Sequence, residues 1–521
     1  MKIIILIIIL INLYFIFKKK TILFFMYVYN KYLHINNGDI MNKSIWIEKE
    51  VCFDEIKNNI NTDILIIGGG ISGTNVLYFL KDTSKKIVLV NNTNNNTTCY
   101  STAKITYLQQ DTYTKIKNIY NDEIAFKYYQ SQKDAIKLIT EIINKENIDC
   151  DLEKVNSTIF TNNKEEKLKK EKKFLKNHNI KFEEKNDLTI SIPCYRNIEV
   201  NDTYMFNPYK YITKLKEKLN KNTNISIYDH SIVTSIKKDK DKYKVICNNK
   251  LITCNTIIMA CHYPFKIEAT FPFRTYLEKS IVSAFDYKLN KNISMINIDK
   301  DVISCRSYKD KLIFLTNSHN INSKEDIEKE VKKHLKKQKE MFDIPPEYTW
   351  INHDIMTNDS LPIAGRIKDT NIYILTGYNT WGMTNSTICA KLVSDLIEEK
   401  ENKYQELFNP NRNTNIKRIV NDIAYSLSSG STLLYNKLSH NKDFYRNDIK
   451  IVKEDGIIYG IYIDEEKHEH KVYNLCPHMK CNLIFNYFDK TWDCPCHGSR
   501  FDIDGNVIKG PSNLSIKIDN D

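Results

Sequence analysis

Two short loops near the C-terminus constrain this chain more than any other stretch: Cys476-Pro477-His478-Met479-Lys480-Cys481 and Cys494-Pro495-Cys496-His497-Gly498-Ser499. The first contains a C-x-H half-site and the second a C-x-x-H half-site, so each offers one soft thiolate and one imidazole. Any centre that uses Cys476, His478, Cys494 and His497 together obliges the fold to bring both loops to one point. A structural zinc ion held by two cysteines and two histidines is one reading, although zinc modules usually pair Cys with Cys and His with His at wider His spacing. The other is a binuclear iron-sulfur centre in which one iron takes two Cys and the other two His.

The block resembles the Rieske family closely. That resemblance implies a [2Fe-2S] cluster on Cys476, His478, Cys494 and His497, and a disulfide between Cys481 and Cys496 that ties the two ligand loops together. High-potential Rieske proteins are similar through Cys494 to Ser499 but carry a tyrosine two residues beyond that serine, where this chain has Phe501. A cluster of this kind moves one electron at a time and makes no bonds itself. Something else in the chain must supply its electrons or take them.

At 521 residues the chain exceeds one ordinary domain and can bury a sizeable core. Apolar residues at 42% and charged residues at 27% fit a globular protein. The net charge of +12 comes from Lys scattered among Glu and Asp, as in 164–173 and 329–339, which read as solvated helix faces. No basic stripe interleaved with aromatics is present, which argues against nucleic-acid binding. Of 13 cysteines, the nine outside the cluster loops are single and unevenly spaced, which points to a reducing, cytoplasmic setting.

Residues 1–40 form an apolar extension. Ile3 to Phe17 is interrupted only by Asn12 and is followed by Lys18-Lys19-Lys20. It is shorter than the ~20 residues of a spanning helix. It reads either as a short anchor that tethers the chain to a membrane with Lys on the cytoplasmic side, or as an extension to a functional chain starting at Met41. No motif lies before Met41.

Asp63 to Ile67 is a continuous apolar strand that runs into Gly68-Gly69-Gly70-Ile71-Ser72-Gly73 and then a helix to about Leu80. This is the order a dinucleotide site requires: Gly68 for the turn, Gly70 for close approach of a pyrophosphate, Gly73 for helix–strand packing. The second strand, Lys86 to Val90, ends in Asn91 where an acidic residue would bind the ribose.

From here to about Arg412 the sequence resembles the flavin-dependent amine and D-amino-acid oxidase family, and within it the members that carry a C-terminal Rieske domain. The matching pieces include Ser101 to Thr106, Phe206-Asn207-Pro208, Ala260 to Phe265, Leu361 to Arg366, and Thr376-Gly377 through Trp381 to Asn385. The resemblance implies FAD and an α/β FAD-binding Rossmann-type domain with an inserted α+β substrate domain over 61–412. A linker at 413–440 and a C-terminal all-β Rieske domain at 441–521 follow. FAD contacts are expected at Gly68, Gly70, Ser72, Gly73, Asn91, Ser101, Thr102, Val233, Gly365, Gly382, Met383 and Thr384. Gly382 opens a helical segment whose N-terminus can face the electron-rich end of the flavin.

Residues 107–200 are rich in helix formers and 265–315 alternate like antiparallel strands, as a substrate-domain sheet with covering helices would. Amino-acid-oxidising relatives clamp the substrate carboxylate with arginines; the corresponding positions here hold Asp354 and Thr380. Arg306, Arg366 and Trp381 remain as catalytic candidates. No cysteine lies between Trp350 and Arg366, so non-covalent FAD is expected. No pair of histidines with a carboxylate suggests the mononuclear iron of Rieske oxygenases.

Two functions remain open. The first is an FAD-dependent oxidoreductase acting on a small amine-like molecule, with the cluster as outlet or inlet to a one-electron partner protein. The second is an electron-transfer or redox-sensing protein without an organic substrate.

Overall fold

The structure is a computed structural model, and it describes residues 43–47, 51–93, 96–163, 166–264, 274–320, 327–412 and 448–518. The anchor-or-extension segment and the linker at 413–440 lie outside the described residues. Among the described residues no helix is long and apolar enough to cross a membrane.

The first layer is a six-stranded sheet in the order Ile363–Arg366, Ile372–Thr376, Thr256–Met259, Ile64–Ile67, Ile87–Val90, Ile225–Tyr228. The last five strands run parallel, and Ile363–Arg366 closes the edge antiparallel to its neighbour. Every residue of Ile64–Ile67 and Ile87–Val90 is buried, because helices cover one face and a small sheet covers the other. The covering sheet runs Ile60–Asn61, Lys250–Cys254, Lys242–Cys247, Val233–Asp239. The helices Ile71–Phe79 and Gly382–Ile397 fill the other side and are buried around most of their circumference, where small polar residues pair with each other, as Asn75 does with Thr387 at 2.9 Å.

The second layer is a nine-stranded sheet built round Thr275–Asp286, which pairs with Tyr348–Thr357 on one side and Lys311–Asn320 on the other. The stretch 265–315 contributes Thr275–Asp286, Ser294–Asn297 and Ile303–Tyr308 to it. The helix-rich stretch 107–200 also supplies strands, Glu153–Thr161 and Arg196–Met205. Val155, Thr158, Ile159 and Thr161 explain the first of these, since β-branched side chains suit a half-buried pleated surface.

Helix starts are locally encoded. Asn121 accepts from the Ile124 N–H to cap the 24-residue helix Asp122–Lys145. Phe206-Asn207-Pro208 is likewise a helix entry, with the Asn207 side-chain oxygen accepting from the Lys210 N–H and Pro208 in the first turn.

The C-terminal region is all β. Ile449–Glu454, Ile457–Ile463 and Glu469–Tyr473 form one antiparallel sheet, and Ile484–Asn486, Thr491–Asp493, Arg500–Phe501 and Val507–Lys509 form another. Its own apolar core contains Trp492, Phe485, Phe501 and the cysteines of the ligand loops.

Candidate functional site

The two layers and the C-terminal region enclose a cavity of about 890 Å³, toward the upper end of the ~300–1,000 Å³ usual for ligand pockets. Its floor is the glycine loop, where Gly68 has φ +112° and an added Cβ would lie 2.5 Å from the Ala260 carbonyl oxygen. A Cβ on Gly73 would lie 1.9 Å from the Gly68 oxygen. Only glycine permits this strand–turn–helix approach. Gly68, Gly70 and Ser72 line the cavity, while Gly73 lies behind them in the helix–strand contact. The Ser72 hydroxyl is 2.8 Å from that of Tyr378, another cavity residue.

Asn91 and Val233 line one end. The Asn91 amide braces the glycine loop: its oxygen accepts from the Gly69 N–H at 3.1 Å, and its nitrogen donates to the Thr93 carbonyl and to Asp229. Ser101 and Thr102 line a side wall, and Trp381, Gly382 and Met383 bring the start of helix Gly382–Ile397 to the opposite one. Helix Gly382–Ile397 has no side-chain cap, so its positive end is open toward the cavity, whereas the Thr98 hydroxyl accepts from the Ile71 N–H at 3.0 Å at the start of Ile71–Phe79. The cradle fits the extended FAD that the resemblance implies.

Besides Gly73, four of the expected site residues are not brought to the cavity. Arg306 is buried, and its guanidinium donates to the carbonyls of Thr102, Ala103, Phe206 and Ser307 while lying 5.0 Å from the Trp46 ring centroid. It holds the Ser101–Lys104 wall in place and is not among the residues that line the cavity. Arg366 is exposed at the sheet edge and donates to Thr370 and Asn371. Gly365 adopts φ +138° where a Cβ would lie 2.9 Å from the Pro410 ring, a packing requirement remote from the cavity. Thr384 faces a buried polar network, accepting from Gln109 at 3.2 Å. Trp381 is the catalytic candidate that does line the cavity.

The substrate sheet supplies residues to which sequence reasoning assigned no role. Tyr276, Glu278, Asn352 and Asp354 line the cavity. Burial pushes the Asp354 carboxyl up to about 7; Glu278 adds to this, while Lys509 and the Asn352 amide, 2.7 Å away, oppose it. Lys104 is buried in another wall, its ammonium donating to the Met295 carbonyl and the Ser304 hydroxyl, and burial brings it down to about 7. Two groups that titrate near neutrality thus face one enclosed space.

The ligand loops meet at the cavity's edge. Each ligand cysteine sits in a tight turn, with the Lys480 N–H bonded to the Cys476 carbonyl and the Gly498 N–H to the Cys494 carbonyl. The backbone N–H groups of His478 and Met479 reach the Cys476 sulfur, and those of Cys496 and His497 reach Cys494. Cys476 and Cys494 are within hydrogen-bond range of each other, and the His478 and His497 ring centroids are 5.0 Å apart.

Both histidine Nδ1 atoms are buried and lack a hydrogen-bond partner. Burial keeps both imidazoles neutral, His497 down to about 3, which is the ligand form. Paired cysteine sulfurs beside paired imidazoles match a [2Fe-2S] centre in which two cysteines hold one iron and two histidines the other. Cys481 and Cys496 form a disulfide and so do not compete as ligands, although Cys494 lies close to both.

The ligand loops are also seated on the first domain. Tyr263, a cavity residue, has its ring centroid 4.9 Å from that of His497 and 6.1 Å from that of His478. Tyr263 belongs to the stretch Ala260 to Phe265, but its neighbour across the domain boundary is legible only in three dimensions. Purified protein is expected to release one FAD on acid precipitation and to show a Rieske electron-resonance signal on reduction. Stoichiometric zinc without iron, in protein handled anaerobically, would overturn the cluster assignment.

Comparison with known proteins agrees with this geometry. The family described as FAD dependent oxidoreductase matches residues 63–396, and the Rieske [2Fe-2S] domain family matches 435–518. A Bacillus subtilis protein named as the Rieske 2Fe-2S iron-sulfur protein YhfW is 29% identical over 490 residues, covering 89% of this chain and 94% of the relative. Glycine oxidase from Geobacillus kaustophilus shares the fold at TM-score 0.55 and 13% identity, covering 68% of this chain and 100% of that one. L-amino acid deaminase from Proteus vulgaris does so at TM-score 0.56 and 15% identity, covering 71% and 98%.

Proposed function

This chain belongs to the FAD-dependent oxidoreductase family and carries a Rieske [2Fe-2S] domain in the same polypeptide; from that premise we propose that it dehydrogenates a small amine-like molecule and uses the Rieske domain as its one-electron outlet to a partner protein. The observation that carries this reading is Tyr263, which borders the cavity on one side and the His497 ring, 4.9 Å away, on the other. Bound FAD supplies a two-electron acceptor beside the substrate, and the cluster supplies a one-electron carrier.

The chain's own residues do the rest. Gly68, Gly70, Ser72, Ser101 and Thr102 would hold FAD, with Gly382 and Met383 presenting a helix N-terminus to it. Cys476, His478, Cys494 and His497 would hold the cluster. An alkylammonium must lose a proton before its carbon can yield a hydride equivalent, and Asp354, which lines the cavity, would take that proton. Burial brings its carboxyl to about 7, where a general base is most effective at neutral pH.

Only the ionised carboxylate accepts a proton. Substrate-dependent reduction should therefore accelerate as pH rises through about 7. Asp354→Asn should flatten that profile and slow reduction by roughly 10²–10⁴-fold.

The test is anaerobic mixing with a panel of amines, following flavin bleaching and then the reduced Rieske electron-resonance signal. Bleaching by an amine followed by cluster reduction supports the proposal. Bleaching by nicotinamide or protein donors alone would replace it with a pure electron-transfer function.

A further inference from the structure

We infer that Tyr263 is the residue through which electrons cross between the flavin site and the cluster, and that they cross within one chain. This rests on the two-cofactor reading but not on the amine substrate, and it gives the one-electron outlet a route.

The route starts at the glycine loop. Ala260 follows the strand Thr256–Met259, its N–H donates to the Ile67 carbonyl at 2.9 Å, and its own carbonyl lies against Gly68. Only Cys261 and His262 separate it from Tyr263, and all four residues line the cavity. The Thr376 hydroxyl donates to the His262 carbonyl at 2.5 Å and the Cys261 thiol to the Tyr263 carbonyl at 3.8 Å, so the segment is held in place. Electron tunnelling falls off more slowly along covalent bonds and packed atoms than across a gap. A short run of backbone from the flavin cradle to Tyr263 meets that condition.

The route ends on the histidine side of the cluster. The Tyr263 ring is inclined at 51° to the His497 ring and at 79° to the His478 ring, so one side chain meets both ligands of the same iron. Among the described residues no other aromatic ring outside the ligand loops meets either histidine. Leu277 of the substrate sheet backs this contact. A Cβ on Gly498 would lie 3.6 Å from its methyl carbons, and Leu277 shares an apolar cluster with Tyr263.

Tyr263 is 4% exposed and His497 6%. A second chain has no access to a contact closed in this way, so transfer through it is intramolecular. Each two-electron oxidation at the flavin sends electrons across the contact twice, because the cluster takes one at a time. The one-electron acceptor protein must empty the cluster between the two crossings.

The test uses the full chain with both cofactors and no amine. Under anaerobic conditions a light flash, with EDTA as the sacrificial electron donor, places electrons on the bound flavin. The rise of the reduced cluster is then followed by its visible absorbance and by freeze-quench electron resonance. In the native protein the rise should be first order and independent of protein concentration. Tyr263→Phe keeps the ring and should keep the rate. Tyr263→Leu fills the apolar site but stops short of the histidines, and most of the rate should be lost. A change of similar volume is the kind that cores tolerate best. Small-angle scattering reads whether the Rieske domain stays docked, and electron resonance of the chemically reduced cluster reads whether the ligand loops are intact. Tyr263→Ile serves if Tyr263→Leu fails either control.

A native rate in Tyr263→Leu, or in Tyr263→Ile where that variant serves, overturns the role of Tyr263, and so does loss of the rate in Tyr263→Phe. A rate that rises in proportion to protein concentration overturns transfer within one chain. If the cluster stays oxidised after the flavin is reduced, the route and the outlet fall together. Amine oxidation is judged separately, by bleaching with amines in the dark.

Discussion

Gly73→Ala is expected to strip the protein of FAD and lower the temperature at which flavin is released. The added Cβ would sit 1.9 Å from the Gly68 carbonyl oxygen and 3.3 Å from the Ile66 side chain. The nearer atom is backbone, so no rotamer change can clear it. The helix Ile71–Phe79 must lift off the strand Ile64–Ile67, and the loop between them loses its shape. Overpacking of this kind costs about 1–3 kcal/mol and occasionally more, against which alanine's better helix propensity returns about 1 kcal/mol. The site suffers more than the global stability, because the distorted atoms are the ones that approach the cofactor. The Rieske core is separate, so the cluster's electron-resonance signal should persist and serve as an internal control. A Gly73→Ala protein with full flavin and an unchanged release temperature would refute the assignment of this loop.

Ser499→Ala should lower the cluster midpoint by about 60 mV or more, because a hydrogen bond to a charged group is worth about 1.5–3 kcal/mol and for a one-electron couple about 1.4 kcal/mol corresponds to 59 mV. The Ser499 hydroxyl is hydrogen-bonded to the Cys476 sulfur. The Ser512 N–H donates to the same hydroxyl oxygen at 2.9 Å, which leaves the hydroxyl's own proton for the sulfur. Reduction places negative charge on the centre, and each hydrogen bond donated to its sulfurs favours that state.

Phe501 is fully buried in the core that holds the ligand cysteines. It occupies the place where high-potential relatives have a second hydroxyl, so Phe501→Tyr should raise the midpoint. Potentiometric titration of the full chain, followed by electron resonance, measures both. An unchanged midpoint in Ser499→Ala with intact signal shape would show that hydroxyl donors do not set this potential.

The sequence by itself determined what could be bound. The Cys/His half-sites and the Gly68 to Gly73 turn act over a few residues, where backbone geometry is set by neighbours along the chain, so residue type and spacing suffice to read them. The Cys481–Cys496 disulfide was implied by the resemblance of those ligand loops to the Rieske family, and it is present.

Only the tertiary structure decided what surrounds the substrate. Arg306 was legible as a cation, but the carbonyls of Thr102, Ala103 and Phe206 claim it. Arg366 faces outward because strand register, not composition, chooses the side on which it emerges. Asn91, expected among the FAD contacts, lines the cavity and also braces the glycine loop. Tyr263 acquires its meaning from domain docking, which joins residues far apart in the sequence. No local pattern encodes such a contact, since it depends on the summed geometry of two independently packed cores.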